Sequence, residues 1–213
     1  MTPPFLRLEE LAVRILGVDP GYATIGYGIV DYLRGQFQPV EFGAITTPPK
    51  EPFPQRLEEI YDGIEYLIQK HRPEVMAVEE LFFAKNQTTI IGVGQARGAI
   101  LLAAQKGKLP VFEYTPMQVK LAIVGYGSAV KGQVMDMTRR MLHLREVPKP
   151  DDAADALAIA MTHAHVAGSK LGAVNTLQAQ LDKYKEKPSG RYQQLIEAAL
   201  EKERQQKERG GKV

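Results

Sequence analysis

Four acidic residues stand at positions where proteins often use carboxylates for chemistry. They are Asp19, Glu79, Asp152 and Asp155. Asp19 ends the apolar run 15–18 and Glu79 ends the apolar run 75–78, so each is predicted to lie at the carboxyl end of a buried strand. Adjacent strands are about 4.8 Å apart, which lets two such carboxylates share one hard cation.

The other two acids, Asp152 and Asp155, are three residues apart at the start of a predicted helix and lie on one of its faces. Four carboxylates gathered this closely repel one another, and a pair of Mg²⁺ or Mn²⁺ ions would compensate the charge. Two such ions about 3.5–4 Å apart are the usual means of in-line attack on a phosphodiester. The pattern therefore predicts a two-metal site.

Each acid also has an ordinary structural explanation when it is taken alone. Asp19 precedes a Pro-Gly pair, where an Asp is usually a turn former. Asp151 or Asp152, which follow a proline, could simply cap a helix. Glu79 is harder to explain in this way, because a charge that ends an apolar strand is costly to bury.

The register of the helical acids is left open by their spacing. At 100° per residue, Asp155 is about 60° from Asp152 and about 40° from Asp151 around the helix axis. Both pairs share a face, so geometry alone does not choose between them.

Six strings occur in order between Arg14 and Val166. They are VDPGYATIGYGIV, AVEELFFAKN, GQARG, VFEYTPMQVK, IVGYGSAVKGQV and DDAADALAIAMTHAH. Together they resemble the bacterial RuvC family of Holliday-junction resolvases. The resemblance implies a homodimeric endonuclease of recombination and DNA repair that cuts four-way junctions by paired symmetric nicks, leaving 5′ phosphate and 3′ hydroxyl ends. It also implies two partners, a junction-binding protein and a branch-migration motor.

The resemblance places the catalytic and metal-binding roles on particular residues. These are Asp19, Glu79, Asp152 and Asp155, with Asp151 then expected to cap the helix. It implies functional roles for Lys120 and Lys131, and junction contact for Phe82.

Four residues are predicted to contact DNA: Phe82, Lys85, Lys120 and Lys131. A Phe in a loop beside a catalytic acid can stack on an unpaired base, a contact worth about 1–3 kcal/mol. A lysine can hold phosphate, although a lone lysine is more often a solvated surface charge. The histidines at 143, 163 and 165 are not predicted to bind metal, because the last two face apart on a helix and Mg²⁺ prefers oxygen.

The elements that would position these residues follow from hydrophobic periodicity. Strands are predicted at 13–18, 24–32, 40–46, 75–79 and 111–114, and helices at 54–70, 88–105, 117–123, 131–144 and 152–166, with a loop at 81–87. This order predicts an α/β protein with a ribonuclease-H-like fold, in which helices flank a mixed five-stranded sheet. The helix at 88–105 is small or apolar on most faces, so it either packs within the domain or meets a second subunit.

Composition and charge bound the domain organisation. The chain has 213 residues, 44% of them hydrophobic, and no cysteine, which excludes disulfides and thiolate metal sites. No run reaches about 18 apolar residues, and a cytoplasmic location is expected. The net charge is +2, but residues 183–213 hold 9 basic and 5 acidic side chains. We predict an N-terminal extension at 1–12, a nuclease domain at 13–168 and a charged, flexible tail at 169–213.

Two alternative functions are open. A junction-binding module without catalytic activity would need basic residues that bind DNA but not four carboxylates. VDPGYATIG also resembles the first phosphate loop of actin-like kinases and ATPases. That fold needs a second Asp-Gly phosphate loop and a Gly-Gly adenosine motif, and the sequence has neither.

Overall fold

The computed structural model describes residues 12–21, 23–80 and 87–168 of the chain. In this part the strands are β1 (Val13–Asp19), β2 (Thr24–Leu33), β3 (Gln36–Thr46), β4 (Val75–Glu79) and β5 (Val111–Tyr114). The helices are α1 (Phe53–His71), α2 (Gln87–Lys106), α3 (Pro116–Val124), α4 (Lys131–Met141) and α5 (Asp151–Gly168). None of the described helices combines the length and the apolar composition that a membrane crossing needs.

The strands form one mixed sheet in the order β3-β2-β1-β4-β5. The first three strands form an antiparallel meander, and β4 and β5 continue the sheet in parallel with β1. The predicted mixed five-stranded sheet with flanking helices is therefore confirmed. Parallel strands need long crossover connections, which α1 and α2 provide.

Helices cover the sheet on both faces. One apolar core joins α1 and α2 to alternate strand residues such as Leu16 and Met76. The other joins α3, α4 and α5 to the intervening residues, including Ile15 and Ala77. The central strands are buried on both sides, which explains why they read as continuous apolar runs rather than as alternating patterns.

Many predicted boundaries differ from the structure, most of them by one or two residues, and three of the differences have a physical explanation. The edge strand β3 begins at Gln36 instead of Val40, and it includes Pro39 where the β2–β3 register shifts. An edge strand tolerates proline because one side of its backbone needs no partner strand. Helix α4 ends at Met141 instead of Leu144, where His143 adopts a left-handed backbone with φ of 54°.

The third difference concerns the start of α5. Asp151 is the first helical residue, so its predicted role as the cap that precedes the helix is wrong by one position. It still lies in the first turn, where a negative charge is favoured by the helix dipole. The predicted segment 1–12, apart from Ala12, and the predicted tail 169–213 lie outside the described residues.

Candidate active site

Asp19 and Glu79 lie side by side at the carboxyl ends of neighbouring parallel strands. Val18 of β1 pairs with Val78 of β4, and each acid is the next residue along its strand. The charge of Glu79 raises the pKa of Asp19. Two carboxylates at adjacent strand ends repel each other, and this repulsion favours the protonated form of one of them.

Helix α5 brings the second pair of acids to the same place. It crosses β1 and β2 so closely that a Cβ added at Gly17 would collide with the carbonyl oxygen of Ala156. A Cβ at Gly26, which pairs with Asp19, would likewise collide with the backbone of Asp152. Because Gly17 and Gly26 have no side chains, the first turns of α5 can lie directly above the strand ends.

The electrostatics of Asp19 show that the four acids form one cluster. Burial, followed by the charges of Glu79, Asp155 and Asp152, raises its pKa to about 8. The pKa of Glu79 is also raised, by burial first and by Asp155 next. Of these three charges, that of Asp152 has the weakest effect on the pKa of Asp19.

Two lysines lie beside the acids. Lys131, the first residue of α4, places its Nζ 2.8 Å from Oδ2 of Asp155. Its hydrogen bond to Asp155 raises its own pKa. Lys120 of α3 lines a cavity of about 220 Å³ together with Lys131 and three of the acids, Asp19, Glu79 and Asp155.

The two candidates for the last ligand differ in their surroundings. Asp152 contributes to the raised pKa of Asp19. Asp151 instead accepts a hydrogen bond from the exposed ammonium group of Lys149, at 3.2 Å. The structure thus brings Asp152 into electrostatic contact with the other acids and pairs Asp151 with a surface lysine.

The donor chemistry of this cluster fits hard divalent cations, because all four side chains offer carboxylate oxygens. Within the described ranges, no three acidic or histidine side chains converge on one point as an assembled ligand set. Asp155 is engaged by Lys131. Binding of a cation would therefore require this contact to open and the carboxylates to turn toward a common centre.

Comparison with known proteins identifies the family. The family model described as crossover junction endodeoxyribonuclease RuvC matches residues 15–163. The chain belongs to the RuvC family.

Individual RuvC proteins match over most of their length. The crossover junction endodeoxyribonuclease RuvC of Brevibacillus brevis is 55% identical over 152 residues, which are 71% of this chain and 92% of that protein. The RuvC of Fusobacterium nucleatum is 48% identical, over 78% of this chain and 88% of its own. The structure of Thermus thermophilus RuvC in complex with a Holliday junction substrate is similar, with 40% identity, coverage of 73% of this chain and 94% of that one, and a TM-score of 0.70.

The described residues include only part of the predicted DNA-contacting set of this RuvC protein. Lys120 and Lys131 lie at the candidate site, whereas Phe82, Lys85 and most of the predicted loop at 81–87 lie outside the described residues. Two of the histidines have other contacts: His163 is buried and hydrogen-bonded to Tyr114, and His165 contacts a backbone carbonyl.

Sequence reasoning gave Arg97 no individual role, although it lies in the string GQARG. In the structure this arginine is buried and contacts the backbone of Glu79. A signal was present in the sequence, because Arg97 is the one charged residue among the small and apolar residues of 88–105. A charge in such a helix must find a partner when it is buried.

Proposed function

We propose that this protein resolves four-way DNA junctions as a metal-dependent endonuclease that makes paired symmetric nicks in recombination and repair. The observation that supports this most directly is the cluster of Asp19, Glu79, Asp155 and Asp152, whose mutual repulsion and burial raise the pKa of Asp19 to about 8. A group that is so unfavourable in isolation indicates a site built for cations. The RuvC relatives are named crossover junction endodeoxyribonucleases, and this name supports the proposed activity.

The four carboxylates would hold two Mg²⁺ or Mn²⁺ ions. When bound, these ions would activate water for attack on the scissile phosphate and stabilise the leaving 3′ oxygen, giving 5′ phosphate and 3′ hydroxyl ends. The chain itself provides the placement: β1 and β4 fix one pair of oxygen donors, and α5 fixes the other pair.

Lys131 and Lys120 would bind the phosphates that flank the cut. Both line the cavity of the acids, and Lys131 can exchange Asp155 for a phosphate oxygen when a cation engages that carboxylate. The predicted contacts of Phe82 with an unpaired base and of Lys85 with the backbone complete this DNA surface as hypotheses. Phosphate contacts of this kind position DNA without reading its sequence.

A homodimer is supported by α2. Its buried face includes Ala96 and Ile100, whereas the opposite face leaves Ile91 and Leu102 68% and 55% exposed. Gly94 and Gly98 lie between them. A Cβ added at either glycine would point into open space and meet no other atom within 4 Å. We propose that this α2 stripe meets its counterpart in a second copy, so that one symmetric dimer carries two sites for the two nicks.

The two protein partners stay predictions, namely a junction-binding protein and a branch-migration motor. We also propose a location in the cytoplasm, because the proposed substrate is chromosomal DNA.

One experiment separates this function from its alternatives. The protein is incubated with a mobile four-way junction and Mg²⁺, and the products are resolved on denaturing and native gels. Paired nicks at symmetric positions with ligatable ends support the proposal. Binding without cleavage would favour the junction-binding module, and ATP hydrolysis without cleavage would favour the actin-like alternative.

A further inference from the structure

Arg97 connects α2 to the strand end that carries Glu79. The residue is 8% exposed and lies on the buried face of α2. Its Nη1 donates a hydrogen bond to the backbone carbonyl of Glu79 at 2.6 Å. Its Nη2 lies 2.8 Å from Oε1 of Glu113 on β5.

These two contacts require the shape of arginine. A guanidinium group presents parallel donors on a planar fork, so one side chain can hold a carbonyl and a carboxylate at once. An ammonium group is a point charge that cannot reproduce both directions with the same geometry. The side chain of Glu113 is 48% exposed, and an ion pair with such a group contributes little stability by itself.

The Glu79 carbonyl lies where the sheet stops supporting the chain. The pairing of β1 with β4 ends at Val18 and Val78, one residue earlier. On the other side, the amide of Glu80 donates to the carbonyl of Tyr114 at 2.9 Å. The hydrogen bonds from β5 and from Arg97 therefore hold the peptide unit that follows Glu79.

We propose that Arg97 is a positioning residue, which fixes the backbone at Glu79 so that its carboxylate stays beside Asp19, within reach of a divalent cation that both acids could share. This inference rests on the proposed function, because it assumes that Glu79 is a metal ligand. It adds a role for a residue that touches neither DNA nor metal. Groups that orient metal ligands typically change metal affinity or activity by about 10–100-fold when they are replaced.

The test uses the full-length protein and Mn²⁺ as the probe. Arg97→Met keeps most of the side-chain volume and removes every donor, and Arg97→Lys keeps the charge. Free Mn²⁺ is measured by electron paramagnetic resonance in protein titrations without DNA. Junction cleavage is measured against Mn²⁺ concentration, and junction binding by gel shift without metal.

A positioning role predicts a specific combination of results. Arg97→Met should weaken Mn²⁺ binding and raise the Mn²⁺ midpoint for cleavage by roughly 10-fold or more, with junction affinity unchanged. Arg97→Lys should lie between this variant and the wild type. Glu113→Gln, which keeps the carbonyl contact, should bind Mn²⁺ nearly as the wild type does.

The matched control is Arg56→Met. Arg56 is another buried arginine, 6% exposed, but it lies on α1 and donates to Thr47 beyond the end of the edge strand β3. The Arg56→Met variant should unfold at a lower urea concentration than the wild type but bind Mn²⁺ equally well. This result would separate the effect of losing a buried guanidinium group from the effect of losing a positioning contact.

Several outcomes would overturn the proposal. Wild-type Mn²⁺ binding in folded Arg97→Met is the first, and if that variant does not fold, wild-type Mn²⁺ binding in Arg97→Lys has the same meaning. Equal losses in Glu113→Gln and Arg97→Lys would show that Arg97 acts through Glu113. If the wild-type protein itself neither binds Mn²⁺ nor cleaves junctions, the proposed function fails first, and the variants are not needed to show it.

Discussion

Lys131 and Asp155 form an ion pair across the candidate site, with Nζ 2.8 Å from Oδ2. The lysine begins α4 and the aspartate lies in the second turn of α5, so the pair joins two helices above the sheet edge. It places a positive charge beside carboxylates that otherwise repel each other. The same contact occupies an oxygen of a proposed metal ligand, so a bound cation would compete with the lysine for Asp155.

Lys131→Met should separate metal binding from cleavage. Without the ammonium group, Asp155 becomes available, and Mn²⁺ binding should be equal to or tighter than that of the wild type. Cleavage at saturating metal should nevertheless fall by about 10-fold or more, because a group that holds phosphate near the reacting centre is lost. Lys149→Met is the control, since that lysine pairs with Asp151 at 3.2 Å on the surface. Weaker Mn²⁺ binding in Lys131→Met would contradict this prediction.

Asp19→Asn should abolish nicking while junction binding persists. The substitution removes one oxygen ligand from the metal pair but also reduces the negative charge that repels phosphate. Cleavage and gel-shift assays at the same salt concentration measure the two effects, with circular dichroism to confirm the fold. Loss of junction binding in a folded variant would argue against a ligand role for Asp19.

The stability of the metal-free protein should fall as pH rises. The pKa of Asp19 is about 8 in the folded protein against its ordinary value of 3.8, so between these pH values the folded state holds a proton that the unfolded state has released. The stabilising effect is complete below about pH 4 and is lost as pH rises through about 8. The loss should be a few kcal/mol, because one pKa unit corresponds to about 1.4 kcal/mol.

Urea titrations in EDTA at a series of pH values measure this loss. Mg²⁺ should restore stability at pH 8, because the cation compensates the carboxylates. The Asp19→Asn variant should show a much flatter pH profile. An equally steep profile in that variant would mean that another group is responsible.

The register of the acids on α5 gives a prediction with a built-in comparison. Asp152→Asn and Asp155→Asn should each remove cleavage, because both acids act on Asp19. Asp151→Asn should keep cleavage and change stability by no more than about 1 kcal/mol, the usual scale of a charge in the first turn of a helix. An inactive Asp151→Asn beside an active Asp152→Asn would show that the assigned register is wrong by one residue.

If the α2 stripe is the dimer interface, a substitution in it should change the oligomeric state of the protein. Leu102→Glu should convert the dimer to a monomer in sedimentation experiments, because it places a charge in the proposed apolar contact. Leu121→Glu is the matched control, since Leu121 is 49% exposed on α3 while Leu102 is 55% exposed on α2. Dissociation by both variants, or by neither, would argue against α2 as the interface.

Much of the site could be predicted because its positions follow from local patterns. Asp19 and Glu79 each end an apolar run, and a run that is apolar at every position indicates a strand covered on both faces. The meander and the crossovers then place β1 beside β4, which brings the two acids together. The family resemblance of the string that begins at Asp151 selected Asp152, whereas helical spacing could not distinguish it from Asp151.

Other features depended on tertiary contacts that local patterns do not encode. The contact of Arg97 with Glu79 requires the rotation of α2 about its axis, which its many small residues leave unspecified. The early start of β3 depends on pairing with β2 across a register shift that accommodates Pro39. The ion pair of Lys131 with Asp155 depends on the approach of α4 to α5, two helices joined by residues 142–150.

The glycines beneath α5 determine the distance between this helix and the sheet at the candidate site. Two of the proposed ligands lie on the sheet and two on the helix, and the distance between these two parts is set by the close backbone contacts at Gly17 and Gly26. Adding a methyl group at Gly17 would lift the helix and move Asp152 and Asp155 away from Asp19 and Glu79 together. The spacing of the proposed metal pair thus depends on one helix-to-sheet distance, which a substitution at a glycine that is not itself a proposed ligand can lengthen.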